Sequence, residues 1–118
     1  MVHVLVYGMP QMIKKKLATC GEAIRKAVAT HANTGGRQNV WAFFVPAQNE
    51  RDSIVAHVHG LEEGCHTLLA KDSKDRLCQA VAEVIVTHRP KRKITVRGVE
   101  VYTIARNPET EGKSVFCR

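Results

Sequence analysis

Apolar and non-apolar positions alternate strictly along Val2–Gly8, the period-two signature of a strand. Val2, Val4 and Val6 form one face, and His3, Leu5 and Tyr7 form a mixed other face. The same pattern returns 52 residues later. Val2 matches Ile54, Val4 matches Ala56, Val6 matches Val58, Gly8 matches Gly60 and Met9 matches Leu61. In the second copy Val55, His57 and His59 occupy the mixed face. A glycine ends both strands, and each copy is followed by a helical pattern and a further strand pattern.

The first helical stripe runs through Ile13, Leu17, Cys20, Ile24, Ala27, Val28 and His31, at steps of three and four. Lys14, Lys15, Glu22, Arg25 and Lys26 lie opposite it, Gly21 suggests close packing, and Asn33, Gly35 and Gly36 end the helix. Asn39–Pro46 is apolar on both faces, so it must be covered on both. A second stripe, Leu77, Val81, Val84, Ile85 and His88, follows a cap at Asp72 or Ser73 and stops at Arg89-Pro90. Ile94–Ile104 reads as a long strand bent at Gly98, and Ser114–Cys117 as a short terminal strand.

The chain therefore reads as one α+β domain, residues 1–118, made of a tandem β-α-β repeat with halves of about 1–52 and 53–118. Two helices cover one face of a four-stranded mixed sheet. The other face is too apolar to be wetted and predicts assembly of copies through it.

Composition changes this picture little. A hydrophobic fraction of 44% and a charged fraction of 25% are ordinary for a globular protein, and no run approaches a membrane span. The order of charged and apolar residues at the start is not that of a signal peptide, so the expected location is cytoplasmic. The net charge of +7 comes from dispersed residues: Lys14–Lys16, then Arg89, Lys91, Arg92 and Lys93. Solvated faces explain most of it. Four cysteines, at 20, 65, 78 and 117, form no Cys-x-x-Cys pair and predict no disulfide framework. Cys65 and His66 are adjacent, a geometry that rarely makes a thiolate–imidazole pair. His57 and His59 share a strand face, yet no third ligand stands at a suitable spacing, so neither a metal nor a cofactor is expected. Arg97 and Arg37 are candidate anion contacts, with Arg106 a weaker one.

Val58-His59-Gly60-Leu61 followed by Glu63-Gly64, together with Thr30-His31 and then Thr34-Gly35 at the end of the first helix, resemble the tautomerase superfamily. The doubled β-α-β order looks like its 4-oxalocrotonate tautomerase/MIF-like fold, and the closest resemblance is to the cis-3-chloroacrylic acid dehalogenase branch. The resemblance implies a homotrimer with sheets inside and helices outside. It also implies tautomerase or hydrolytic dehalogenase chemistry on a small unsaturated carboxylate. The family's catalytic group is an N-terminal proline exposed by loss of the initiator methionine. Here Val2 stands in its place, and a primary terminal amine would be a weaker, different catalyst. His31 matches the branch's substrate-binding histidine. Arg97 stands where the branch has a tyrosine. Glu62, Glu63 and Cys65 occupy the turn that carries its carboxylate-gripping arginines. Glu109 or Glu111 matches its water-activating glutamate.

Two functional classes follow. The first is a tautomerase-superfamily protein with Val2 and His31 as candidate catalytic residues, Arg97 and Arg37 as candidate substrate contacts, and weak, altered or no activity. The second is a ferredoxin-like nucleic-acid-binding module. For that module the charge is favourable, but the aromatics, clustered on the second strand, read as buried.

Overall fold

The computed structural model describes residues 2–10, 12–45, 53–61, 70–89, 98–104 and 113–117. In chain order these form strand β1 (Val2–Tyr7), helix α1 (Lys14–His31), a 3-10 turn (Arg37–Asn39), β2 (Val40–Val45), β3 (Ser53–His59), helix α2 (Lys71–His88), β4 (Gly98–Thr103) and β5 (Lys113–Cys117). The architecture is α+β.

Alternation decides how the sheet sits. Val2, Val4 and Val6 of β1, Ile54, Ala56 and Val58 of β3, and Val99 and Val101 of β4 are all fully buried. They meet Cys20, Ile24 and Val28 from α1 and Leu77, Cys78, Val81 and Ile85 from α2 in one core. Burying one such aliphatic side chain contributes about 1.5–3 kcal/mol, so the even-numbered rows of β1 and β3 hold both helices on a single face. The residues between them, His3, Leu5, Tyr7, Val55, His57 and His59, stay partly exposed on the other.

The strand order is β2-β1-β3-β4-β5. β1 runs parallel to β2, with Val2 opposite Val40 and Tyr7 opposite Val45. β3 runs parallel to β4, with Ser53 opposite Gly98. β1 and β3 are antiparallel neighbours, with Val4 opposite Val58. Each helix thus connects two adjacent parallel strands. A ferredoxin-like fold is a split β-α-β arrangement, with another strand between the two that a helix connects. The contact of β1 with β2 corrects that expectation. The terminal segment also does more than expected: β5 joins the sheet as a fifth strand, antiparallel to β4, with Val101 opposite Ser114.

Gly8 and Gly60, which match in the sequence alignment, share a left-handed backbone, with φ 80° and 83°. An L-side chain disfavours that region, and the turn after each strand needs it. Gly21 is buried where α1 crosses β2: a Cβ there would lie 3.4 Å from the Phe44 ring and 3.9 Å from the Ala42 Cβ.

Element ends differ from the sequence reading in three places, and the expected start of the fourth strand lies outside the described residues. Ile13 caps α1 from outside and is 63% exposed. Asn39 belongs to the 3-10 turn, so β2 begins at Val40. Ala70 precedes α2 without a side-chain cap, and Asp72 lies in its first turn, where a carboxylate favours the helix dipole. β4 is described from Gly98, and Ile94–Arg97 lie outside the described residues. Arg89, next to Pro90, takes an extended backbone (ψ 149°) and ends α2, as the proline requires.

Candidate functional site

α1 runs back along the sheet, so its C-terminal His31 returns the chain to the edge where β1 and β2 begin. Val2 and Arg37 lie toward that end, and His31 follows Arg25 by six residues, about 9 Å further along α1. Val2 is the first residue of β1, buried, and opposite Val40. Arg37 lies three residues before Val40 and is exposed. His31 is exposed too, so it does not complete the apolar stripe.

Arg25 fixes the geometry of this corner. Its Nε donates to the Val40 carbonyl at 2.6 Å, its Nη2 to the Arg37 carbonyl at 3.0 Å, and its Nη1 to Glu22 Oε2 at 3.1 Å. The guanidinium carbon stands 5.1 Å from the Trp41 ring centroid, within cation–π range. Glu22 also accepts an ion pair from Arg37 Nη1 at 2.9 Å. Side-chain and backbone bonds tighten the loop between α1 and β2. Asn39 Nδ2 donates to the Thr34 carbonyl at 2.8 Å, and Thr34 Oγ1 donates to the Gly36 carbonyl at 3.1 Å. The exposed Glu22–Arg37 pair is weak by nature, ~0–1 kcal/mol. An incoming anion could take Glu22's place on Arg37 without disturbing the corner.

Arg97 lies outside the described residues, as do Arg106, Glu62, Glu63, Cys65, His66, Glu109 and Glu111. Gly98, which follows Arg97, pairs with Ser53 at the end of the sheet opposite Val2. The two ends of β1 are separated by roughly 17 Å at ~3.3 Å per residue.

The helix-free face carries groups that the sequence reading did not assign. His3 stacks on Phe43, with ring centroids 6.1 Å apart. His57 is the hub of a second set, with Tyr7 at 5.4 Å, His59 at 6.0 Å and Tyr102 at 6.2 Å. Tyr102 Oη donates to Glu100 Oε1 at 2.7 Å. That bond, then burial and the carboxylate's charge, push the phenol above its ordinary value. Trp41 and Phe43, expected to be buried, are 42% and 47% exposed on this face. The alternation of β1 and β3 already contained the signal, because the positions between the buried ones are histidine or tyrosine wherever they are not aliphatic. Among the described residues, no three His, Cys, Asp or Glu side chains are placed to hold a metal ion.

Two thiols are chemically silent. Burial pushes Cys20 up to about 11. Burial and then the Asp75 charge push Cys78 up to about 12, against a lowering hydrogen bond with the Thr103 backbone. Both are free cysteines, and neither carries useful thiolate near neutrality. No helix among the described residues is long and apolar enough to cross a membrane. No protein-family model matches the sequence, and no curated protein matches it either.

Proposed function

We propose that the chain is a tautomerase-superfamily protein in which valine replaces the catalytic proline. In this reading it is a homotrimer built through the helix-free sheet face, acting weakly or not at all on small unsaturated carboxylates. The observation that carries the reading is the strand pairing. Two β-α-β units, each joining parallel neighbours, meet back to back through antiparallel β1 and β3. The exposed Trp41 and Phe43 support the assembly, since a lone chain leaves both rings in water.

The chemistry follows from the corner at Val2. If Met1 is removed, the α-amine belongs to Val2, next to the pair Val2–Val40. A primary α-amine titrates near ~7.7–8.0, so at neutral pH a fraction is unprotonated and can take a proton from carbon next to a carbonyl. Arg37 offers a guanidinium to the carboxylate in exchange for Glu22, and the exposed His31 offers a ring nitrogen.

The test is Val2→Pro in protein with Met1 removed, verified by intact mass. Tautomerase activity on enolised phenylpyruvate should rise, because ketonisation needs mainly a positioned base. Dehalogenation of 3-haloacrylates should stay absent, since the turn carries Glu62, Glu63 and Cys65 instead of a carboxylate clamp. Robust dehalogenation by the unmodified chain would reject this account. Inactivity of both forms on every keto–enol substrate would favour a binding role. Submicromolar RNA or DNA binding that persists at about 0.2 M salt would revive the nucleic-acid reading.

A further inference from the structure

The corner where β2 begins already holds a carboxylate between two arginines. Arg25 Nη1 donates to Glu22 Oε2 at 3.1 Å, and Arg37 Nη1 pairs with Glu22 Oε1 at 2.9 Å. Each guanidinium therefore takes one oxygen of the same carboxylate. The two cations come from different elements, α1 and the 3-10 turn, 12 residues apart in the chain. Among the described residues no other carboxylate pairs with either of them.

The two arms are held differently. Arg25 is fixed in place: Nε donates to the Val40 carbonyl at 2.6 Å and Nη2 to the Arg37 carbonyl at 3.0 Å, and its side chain is 24% exposed. The second of these bonds ties Arg25 to the backbone that carries Arg37, so neither bond depends on Glu22. Arg37 reaches in from the loop with a side chain 61% exposed, and Glu22 is 45% exposed. The place between the guanidinium groups is therefore open to water. Exposed ion pairs of this kind are close to break-even, so Glu22 can leave at little cost while Arg25 stays where it is. Planar guanidinium groups that each take one oxygen suit a carboxylate better than a spherical anion.

We propose that Arg25 and Arg37 are the two arms of a carboxylate-binding site that Glu22 fills in the free chain, and that a small carboxylate enters by displacing it. The inference rests on the Arg37 contact proposed above and deepens it, with Arg25 as the second arm and Glu22 as a built-in competitor. Without Glu22 the two guanidinium groups face an open place with no counter-ion, so an external carboxylate is held more tightly there. A chain of net charge +7 attracts anions in general. The mark of this site is that binding depends on Glu22 in particular. Trp41 reports on it, being the chain's one tryptophan, with the Arg25 guanidinium carbon 5.1 Å from its ring centroid.

Titration of the full chain with sodium acrylate tests this, followed by NMR through the Trp41 indole and Arg25 Nε–H signals, with sodium chloride at matched ionic strength as the reference. Acrylate should shift both signals to saturation, and chloride should not. Glu22→Gln should tighten the acrylate dissociation constant by roughly three- to tenfold. Glu83→Gln makes the same charge change at an exposed position of α2 and should leave the constant unchanged. Adding Arg37→Gln to Glu22→Gln should abolish the gain. Equal shifts from chloride, equal tightening by Glu83→Gln, or no saturable shift in either the parent or Glu22→Gln overturns the site. If Glu22→Gln loosens the corner, Arg37→Gln in the parent serves: it should abolish the acrylate shift of the Arg25 signal, and an undiminished shift rejects the inference. Tight acrylate binding by Glu22→Gln beside an inactive Val2→Pro keeps the site and rejects the tautomerase reading. Activity in Val2→Pro without acrylate at these signals does the reverse.

Discussion

Leu5 and His57 stand directly opposite each other across the antiparallel pair β1–β3, and the 52-residue shift of the sequence carries one onto the other. A pair that maps onto itself in this way marks the local two-fold relation between the strands. His57 and its ring contacts therefore lie at the middle of the sheet, where an attached copy would cover them most completely.

The shared left-handed glycines give the first prediction. Gly8→Ala and Gly60→Ala each place a Cβ on a backbone at φ 80° or 83°, which costs roughly 1–2 kcal/mol. Urea denaturation should show losses of similar size in the two variants. A neutral result at either site would mean that its turn relaxes to another conformation.

Gly21→Ala should behave in the opposite way. The new methyl meets Phe44 at 3.4 Å, an ordinary contact, while a helix interior gains up to ~1 kcal/mol when alanine replaces glycine. Thermal unfolding should show equal or higher stability. A clear drop would mean that the Phe44 ring cannot give way.

Much of this was legible in the sequence. The valine alternation identified the buried rows, and the matched glycines identified the two strand ends. The exposure of His31 was not legible, because a stripe at helical spacing does not reveal whether its last member passes beyond the sheet. Trp41 and Phe43 had the same difficulty: a strand apolar on both faces shows that two covers are needed, and the described helices supply one. Arg25 was hidden for another reason. Its partners Val40 and Arg37 lie 15 and 12 residues away, and no local pattern anticipates a side chain that bridges a helix, a loop and a strand.

Charge on the helix-free face should break the proposed assembly without breaking the fold. Trp41→Glu with Phe43→Glu replaces two rings that are already 42% and 47% exposed within one chain. Circular dichroism should stay unchanged while sedimentation gives the monomer mass. A double variant that stays trimeric would place the contact elsewhere.

The buried thiols predict both reactivity and alkaline behaviour. Cys20 and Cys78 should resist alkylation in the native protein near neutrality and react on unfolding, as peptide mapping by mass spectrometry would show. Their folded values are raised from 9.0 to about 11 and about 12. The unfolded chain therefore releases these protons first, and stability should be full below pH 9 and fall as pH climbs toward those values. Replacing both by alanine should remove that alkaline component, and an unchanged alkaline slope would assign it to other groups.

β2 is the end strand of the order given by the described residues, and Arg25 bonds the carbonyl of its first residue. A sheet margin of Trp, Phe and Val is a template for strand-by-strand growth into fibres. A guanidinium fastened there, with its grip on Glu22, puts charge on that margin, and charge at a sheet edge disfavours such pairing. Losing Arg25 would therefore be felt first as insolubility during expression, before any change in what the protein binds.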